Sequence, residues 1–169
     1  LLIGLWMFSR KNKLPYLWSL DRIMIPVAIG GALVRLGNLF NSEIYGHQTD
    51  LPWGFVFLRN GETVPKHPTQ LYEAICYLLL FFILCFLYYR KDLARKRPGL
   101  LFGVALIGVF LSRFFIEFVK EVQVDFANSM HLAMGRWLRV PFILLGVVMV
   151  VYGLRHQVTP PPSGRSPLL

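Results

Sequence analysis

The stretch IMIPVAIGGALVRLGNLFNSEIYG, residues 23–46, decides the fold because its character changes in the middle. Residues 23–34 are a continuous apolar run of the kind that crosses a lipid bilayer. The residues that follow place four polar side chains at the end of that run: Arg35, Asn38, Asn41 and Glu43. An ionisable residue in a membrane span is costly unless it is paired or hydrated, so Arg35 is a candidate for a functional site.

The rest of the chain is also typical of a membrane protein. Its 169 residues are 55% hydrophobic and 15% aromatic, and the mean hydropathy is +0.51. A span needs roughly 20 mostly apolar residues, and four runs are suitable: about 20–40, 70–89, 99–119 and 137–154. Residues 1–8, LLIGLWMF, are too short and are expected to be the end of a truncated span. The sequence therefore predicts an all-α, polytopic transmembrane helix bundle.

The basic residues predict how this bundle is oriented. The net charge is +9, and the basic residues gather in SRKNK, residues 9–13, and YRKDLARKRPG, residues 89–99. An even number of predicted spans separates these two connections, so the positive-inside rule places both in the cytoplasm. There they would face anionic lipid, and no nucleic-acid partner is expected. Residues 155–169 would be a disordered cytoplasmic tail.

The connection at about 41–69 would lie on the outer side of the membrane. Its stretch WGFVFLRNGETVPKHP, residues 53–68, has an Asn-Gly pair between two β-prone runs, which predicts a hairpin. We therefore expect a small outer cap of loop or hairpin structure. Three of its residues, His47, Asp50 and His67, could be proposed as metal ligands. Their spacing matches no standard site, and no metal is expected.

This orientation brings the polar residues of three predicted helices to one outer level of the membrane. They are Arg35 and Asn38 in the first helix, Gln70, Tyr72 and Glu73 in the second, just after His67, and Arg113 and Glu117 in the third. Arg113 and Glu117 are four residues apart on one helix face and could form a simple ion pair. Arg35 has no obvious acid unless Glu43 or Glu73 turns inward. Two arginines match a phosphate well, and the abundant phosphate of an outer leaflet is the phospholipid headgroup.

Three segments of the sequence, in order, carry a resemblance to a known family. VRLGNLFNSEIYG, residues 34–46, is similar to the signature Gly-Arg-x-Gly-Asn-Phe-x-Asn-x-Glu-x-x-Gly, with Val34 and Leu39 replacing two signature residues. HPTQLYE, residues 67–73, and RFFIEFVKE, residues 113–121, follow it. Together they resemble the bacterial prolipoprotein diacylglyceryl transferases. A weaker fourth segment, residues 134–136, has an arginine where the family usually has glutamine.

The resemblance covers nearly the whole chain and implies further structure before residue 1. Members of the family have about seven spans and carry an upstream His-Gly-Gly segment, whose histidine is thought to be catalytic. We therefore expect the chain to lack that histidine and its spans. Residues 1–154 would then be a partial transmembrane catalytic domain.

The resemblance also implies an activity. It predicts a transferase of the bacterial inner membrane that moves the diacylglyceryl group of phosphatidylglycerol to the lipobox cysteine thiol of a prolipoprotein, with its site toward the periplasm. The implied headgroup ligands are Arg35, Asn38, Asn41, Glu43, Gln70 and Arg113. Glu117 would orient Arg113, Tyr72 would hydrogen-bond the substrates, and His67 would be the second choice of base after the upstream histidine. No cofactor is implied, and we expect a monomer.

Two other classes of function stay open on the sequence alone. A phospholipid transporter or flippase would use the same arginines, but it should also show a polar path through the inner halves of the helices. Those halves contain little but Leu, Phe, Val and Gly. A purely structural membrane subunit would show no convergence of charge at one depth.

Overall fold

The computed structural model describes residues 2–90, 92–119 and 130–157, with only the backbone given for 130–136. The described part contains six α-helices: α1 (Leu2–Lys11), α2 (Tyr16–Phe40), α3 (Thr69–Tyr89), α4 (Leu93–Lys96), α5 (Leu100–Ile116) and α6 (Met130–Arg155). One 3-10 turn, Leu58–Asn60, lies in the loop between α2 and α3. These helices confirm the predicted all-α membrane bundle. Most of the predicted disordered tail, from residue 158, lies outside the described residues.

Three helical segments are long and apolar enough to cross a membrane: α2, α3 and the part of α6 at Trp137–Arg155. Helix α5 is equally apolar but has only 17 residues, and at 1.5 Å per residue it is about 26 Å long. The fourth predicted span was placed at 99–119, and the helix ends earlier because residues 117–119 form a turn. Its crossing of the membrane stays a prediction.

The helices pack as neighbours around an apolar interior. Helix α2 packs mainly on α3, α5 packs mainly on α6, and α3 also contacts α5. Glycines allow the closest of these approaches, because a Cβ atom on Gly103 would lie 2.8 Å from the Gly146 carbonyl oxygen across the α5–α6 interface. The packing sets α2, α3 and α5 side by side, so residues near their outer ends can meet.

A buried carboxylate joins α2 to α5 near the end of the bundle that the sequence predicts to be cytoplasmic. Asp21 is 0% exposed, and its two oxygens accept hydrogen bonds from the backbone N–H groups of Gly99 at 2.7 Å and Phe102 at 2.8 Å. The first N–H groups of a helix have no partner within that helix, and a carboxylate also interacts favourably with the helix dipole. Asp21 therefore caps α5 from a different helix.

The outer connection forms the expected cap, but it is a loop and not a two-stranded hairpin. Within the described residues only isolated bridges occur, Gln48 with Lys66 and Phe55 with Lys66. The intervening chain turns inward, because Phe57 is 4% exposed and stacks on Tyr45 with ring centroids 4.6 Å apart. Pro65 also lacks the N–H group that a longer ladder would need. The predicted hairpin is therefore reduced to single paired residues.

Candidate functional site

The first arginine of the site is paired with a buried acid of the next helix. Arg35 Nε lies 2.7 Å from Glu73 Oε2, and the Glu73 side chain is 1% exposed. Glu73 is on the first turns of α3, and Arg35 is near the end of α2. Of the two acids that the sequence left open as partners, the structure selects Glu73. Glu43 lies on the exposed loop that follows α2.

The second arginine differs from what the sequence predicted. Glu117 does not pair with Arg113 but with Arg139 of α6, at 3.1 Å between Arg139 Nη2 and Glu117 Oε2. The geometry explains this, because α6 crosses beside the end of α5 and presents a cation directly to Glu117. Among the described residues, Arg113 forms no ion pair, and its buried Nε atom has no hydrogen-bond partner. The ion pair between Glu117 and Arg113 that the sequence suggested does not form, and the orienting role of Glu117 toward Arg113 stays a prediction.

Tyr77 connects the two arginines. It is 6% exposed and lies one helical turn after Glu73 on α3. Its hydroxyl interacts electrostatically with Arg35, Arg113 and Glu73. Its ring also lies 3.2 Å from the position that a Cβ atom on Gly31 would occupy. Helices α2, α3 and α5 thus bring Arg35 and Arg113 together at their outer ends. The cluster consists of the side chains of Arg35, Glu73, Tyr77, Arg113, Glu117 and Arg139.

A second group of side chains lies where the cap meets α3. Tyr72 accepts a hydrogen bond from Trp53 Nε1 at 3.1 Å, and its hydroxyl lies 3.1 Å from His67 Nδ1. With the indole donating to the oxygen, the hydroxyl hydrogen is available for His67 Nδ1. In the tautomer with its proton on Nε2, His67 accepts this hydrogen bond at Nδ1. Tyr72 and His67, both predicted site residues, are therefore brought together.

Buried polar groups attach the cap to the beginning of α3. Thr69 Oγ1 donates a hydrogen bond to the Ile44 carbonyl at 2.9 Å, and Gln70 Nε2 donates to the Glu43 carbonyl. Gln70 is 1% exposed, and its Oε1 atom has no partner among the described residues. A buried acceptor without a hydrogen-bond donor is rare in folded proteins, so the Oε1 atom of Gln70 calls for an explanation.

The last glycine of the first motif holds this arrangement together. Gly46 donates a backbone hydrogen bond to the His67 carbonyl at 2.8 Å. A Cβ atom there would lie 2.5 Å from the Val119 carbonyl oxygen, 2.7 Å from the Cβ of His67 and 2.9 Å from Thr69 Cγ2. Only glycine fits where the cap, α3 and the end of α5 meet. The motif therefore has a structural reason at this position.

The remaining predicted ligands stay less defined. Asn38 is partly exposed, and its carbonyl accepts a hydrogen bond from the Glu43 backbone at 2.9 Å. The side chains of Asn41 and Glu43 are exposed. Within the described part of the chain, none of these three side chains hydrogen-bonds to protein, so their role as headgroup ligands stays a prediction. The side chain of Arg136, in the weaker fourth segment, lies outside what the structure describes.

Sequence reasoning missed two members of the cluster, Tyr77 and Arg139. Tyr77 could have been found, because it follows Glu73 by four residues and shares its helix face. Arg139 gave a signal as well, since it interrupts the apolar run WLRVPFILL at the beginning of a predicted span. A cation in that position should have been counted with the other two arginines.

The charges of the cluster are of the kind that suits an anion. Its described side chains contain three arginines and two glutamates, and two arginines are each paired with one acid. Arg113 contributes the remaining positive charge and a buried donor without a partner. A guanidinium in such a low-dielectric position favours an oxyanion with several acceptor atoms. A phosphate group at the outer level of the membrane fits this description.

Comparisons with known proteins agree with one another. Residues 1–152 match the family model described as prolipoprotein diacylglyceryl transferase. A protein of Porphyromonas gingivalis is 44% identical over 94% of this chain and 61% of its own length. A protein of Bacteroides fragilis is 48% identical over 94% of this chain and 57% of its own.

A third similar protein, from Chloroherpeton thalassium, is 42% identical over 92% of this chain and 58% of its own length. All three are named phosphatidylglycerol–prolipoprotein diacylglyceryl transferase. The chain spans about three fifths of the length of these curated relatives.

Proposed function

Because the chain belongs to the prolipoprotein diacylglyceryl transferase family, we propose that it carries the phosphate site of an enzyme with that activity. The enzyme would transfer the diacylglyceryl group of phosphatidylglycerol to the lipobox cysteine of a prolipoprotein. The relatives' names give the donor and the acceptor. The site would face the outer side of the bacterial inner membrane, and the enzyme would act as a monomer.

The proposed reaction is a displacement at carbon. The cysteine sulfur attacks the glycerol carbon of the diacylglyceryl group, and a C–S bond forms as the C–O bond to the phosphate breaks. The bonding electron pair leaves with glycerol phosphate, and the thiol proton passes to a base. The product is a thioether. The free thiol has a pKa near 8.5, so at neutral pH a base or a positive field is needed to favour the thiolate.

The arginines would act on the leaving group. Arg113 would bind the phosphate with the donors that it does not use within the protein, and Arg35 would add a second positive charge across the cluster. As the C–O bond breaks, negative charge grows on the glycerol phosphate, and fixed donors in a shielded site stabilise it. Glu73 would keep Arg35 oriented through their ion pair. Asn38, Asn41, Glu43 and Gln70 remain proposed headgroup ligands.

His67 is the candidate base within this chain. Its Nδ1 is occupied by the Tyr72 hydroxyl, and that contact fixes the orientation of the ring. In the neutral state with a proton on Nε2, the imidazole would first have to exchange tautomer or act through Tyr72 to accept the thiol proton. This requirement makes His67 a less direct proton acceptor than a histidine with a free acceptor nitrogen. The family's upstream histidine stays our first choice.

The observation that carries the proposal is that Arg113, beside the Arg35–Glu73 pair, forms no ion pair among the described residues and has a buried Nε atom without a hydrogen-bond partner there. A purely structural bundle has no need for an arginine whose buried Nε atom has no partner in the described part of the chain. A headgroup phosphate supplies the missing negative charge, and the outer leaflet supplies the headgroup. The same site would serve a phospholipid transporter, so the test must detect transfer and not only binding.

The test is a transfer assay with the enzyme that contains this chain. Purified enzyme in nanodiscs of phosphatidylglycerol is mixed with a peptide that carries a lipobox cysteine, and the peptide is analysed by mass spectrometry. We expect the peptide to gain a diacylglyceryl mass and glycerol phosphate to be released in equal amount. A lipobox peptide with serine in place of cysteine is the matched control. Lipid binding without any gain of peptide mass would favour the transporter.

A further inference from the structure

We infer that Arg139 is a positioning residue that holds Glu117 away from Arg113 and so keeps Arg113 available for a phosphate. The inference rests on the proposed function, because it assigns a role within the same phosphate site. It is separate from the leaving-group role of Arg35 and Arg113, since Arg139 would act through Glu117 and not on the substrate.

The contacts of Arg139 join α6 to the end of α5 at two points. Its Nη2 atom lies 3.1 Å from Glu117 Oε2, and its Nη1 atom donates to the Arg113 carbonyl at 3.5 Å. The Arg139 and Glu117 side chains are only 20% and 19% exposed. The pair is thus largely removed from water. Salt and water screen such a pair less than they screen an ion pair at the surface. Arg139 therefore reaches the Glu117 carboxylate from α6, whereas Glu117 itself lies at the end of α5.

Without Arg139, Glu117 would have a different partner. Arg113 and Glu117 are four residues apart in the last turn of α5 and its cap, a spacing at which side chains of opposite charge meet. A partly buried carboxylate that loses its cation must find another or remain unpaired at high cost. Among the described residues of α5, Arg113 is the cation on the same helix face. It would then be neutralised by Glu117 and would have less attraction left for an anion.

The charge balance of the cluster gives the same result. Among the described side chains, with Arg139 present, three arginines face two acids, which are Glu73 and Glu117, and this count leaves one positive charge. Without Arg139 the two signs are equal. A phosphate entering the neutral cluster would have to displace Glu117 from Arg113. Arg139 therefore determines whether Arg113 is occupied before the lipid arrives.

A purely structural role for Arg139 is the competing explanation. An ion pair between α5 and α6 could simply hold the two helices together. In that case removal of either partner would loosen the interface, and removal of both would not restore lipid affinity. The two explanations differ in what Glu117→Gln does to an enzyme that already lacks Arg139.

The experiment measures the KM for phosphatidylglycerol, kcat and the unfolding temperature of the full enzyme and its variants. We expect Arg139→Gln to raise KM by about tenfold or more, which corresponds to the loss of one charge-assisted hydrogen bond. In the double variant Arg139→Gln with Glu117→Gln, KM should fall back from the value of the single variant by about fivefold or more, because Arg113 is released. Arg155→Gln is the matched control, since it makes the same change on α6 at the exposed cytoplasmic end.

Arg139→Lys keeps the positive charge and tests the inference even if Arg139→Gln does not fold. Its KM should stay within about threefold of the wild type, because an ammonium can still pair with Glu117. A tenfold rise in the folded lysine variant would overturn the inference, as would a double variant with the same KM as Arg139→Gln. An unchanged KM in folded Arg139→Gln would overturn it too. A wild-type enzyme without transfer activity would instead refute the proposed function.

Discussion

The two ends of the helix bundle both bury charged groups but satisfy them in different ways. At the end that the sequence predicts to be cytoplasmic, Asp21 accepts hydrogen bonds from two backbone N–H groups of α5, at 2.7 and 2.8 Å. At the outer end, Glu73 pairs with a flexible arginine side chain. There Arg113 and Gln70 also retain buried polar atoms without a partner among the described residues.

The difference separates a structural polar group from a functional one. Backbone N–H groups are fixed by the helix, so Asp21 has partners that cannot move and has no capacity for a ligand. Arginine side chains can move, and an unused buried donor costs free energy unless something else satisfies it. We therefore interpret the cytoplasmic end as a helix cap and the outer end as a binding site. The predictions below test this division.

The largest expected effect is the loss of rate when an arginine of the outer end is replaced by lysine. The same change at the other end of the bundle is the control. Arg113→Lys keeps the charge but removes the planar fork, and we expect a loss of roughly 2–4 kcal/mol of transition-state stabilisation, about a hundredfold or more in rate. Arg35→Lys should behave similarly. Arg22→Lys at the cytoplasmic end changes a guanidinium that stacks over Trp18 at 3.6 Å and should leave the rate per folded molecule within about threefold. The rate of diacylglyceryl transfer and the yield of folded enzyme are measured together.

Equal loss of rate at the two ends would contradict the division, because it would show that any arginine of the bundle supports activity in the same way. An Arg113→Lys variant with full activity would remove the bidentate role of that arginine. The folded yield is the necessary control, since a fall in yield alone would move the observed rate without any change in chemistry.

The second prediction concerns the cap of α5. Asp21→Ala leaves two backbone N–H groups in a buried position without an acceptor, and we expect it to destabilise the protein by about 2–3 kcal/mol. Asp21→Asn keeps one acceptor oxygen and should cost less. The unfolding temperature in nanodiscs measures both effects. Transfer activity per folded molecule should not change, because Asp21 lies at the opposite end of the bundle from the arginines.

A specific loss of activity in folded Asp21→Asn would show that the cytoplasmic end communicates with the site. The helix cap would then also be a functional element. Ser19, buried on the same helix and bonded to Ser9 at 2.9 Å, offers a control. Ser19→Ala removes a neutral hydrogen bond between α1 and α2 and should cost less stability than Asp21→Ala.

The sequence predicted the helices and the level of the site well, because both depend on local patterns. The apolar runs gave α2, α3 and α6, and the spacing of polar residues placed Arg35, Glu73 and Arg113 at one end. The partners of the charges could not be predicted in the same way. Arg113 and Glu117 have an ideal helical spacing, and the sequence could not show that α6 brings Arg139 to Glu117.

The cap shows a similar limit. An Asn-Gly pair between β-prone runs is a local signal for a hairpin, but the burial of Phe57 against Tyr45 depends on tertiary packing. That packing draws the chain inward and prevents a regular ladder. The need for glycine at residue 46 also arises only when three separate segments meet. Local signals therefore predicted the elements, and contacts between distant segments decided the pairing.

The smallest expected effect lies in the cap and depends on pH. The Lys66 ammonium at 3.0 Å and the Tyr45 hydroxyl at 2.9 Å hold the pKa of Glu62 below its ordinary value of 4.5. A carboxyl group whose pKa is lower in the folded state stabilises that state above the unfolded pKa, and this stabilisation is lost as the pH falls through the folded pKa.

The wild type should therefore unfold at a higher temperature than Glu62→Gln at about pH 6, and the difference should close toward about pH 3. It should be small, because water and salt reach the partly exposed Glu62 carboxylate and screen the ion pair. Glu43→Gln is the matched control, because it makes the same change at an exposed carboxylate of the same cap that forms no ion pair among the described residues. If the gap between wild type and Glu62→Gln were equal at both pH values, Glu62 would contribute through packing and not through its charge.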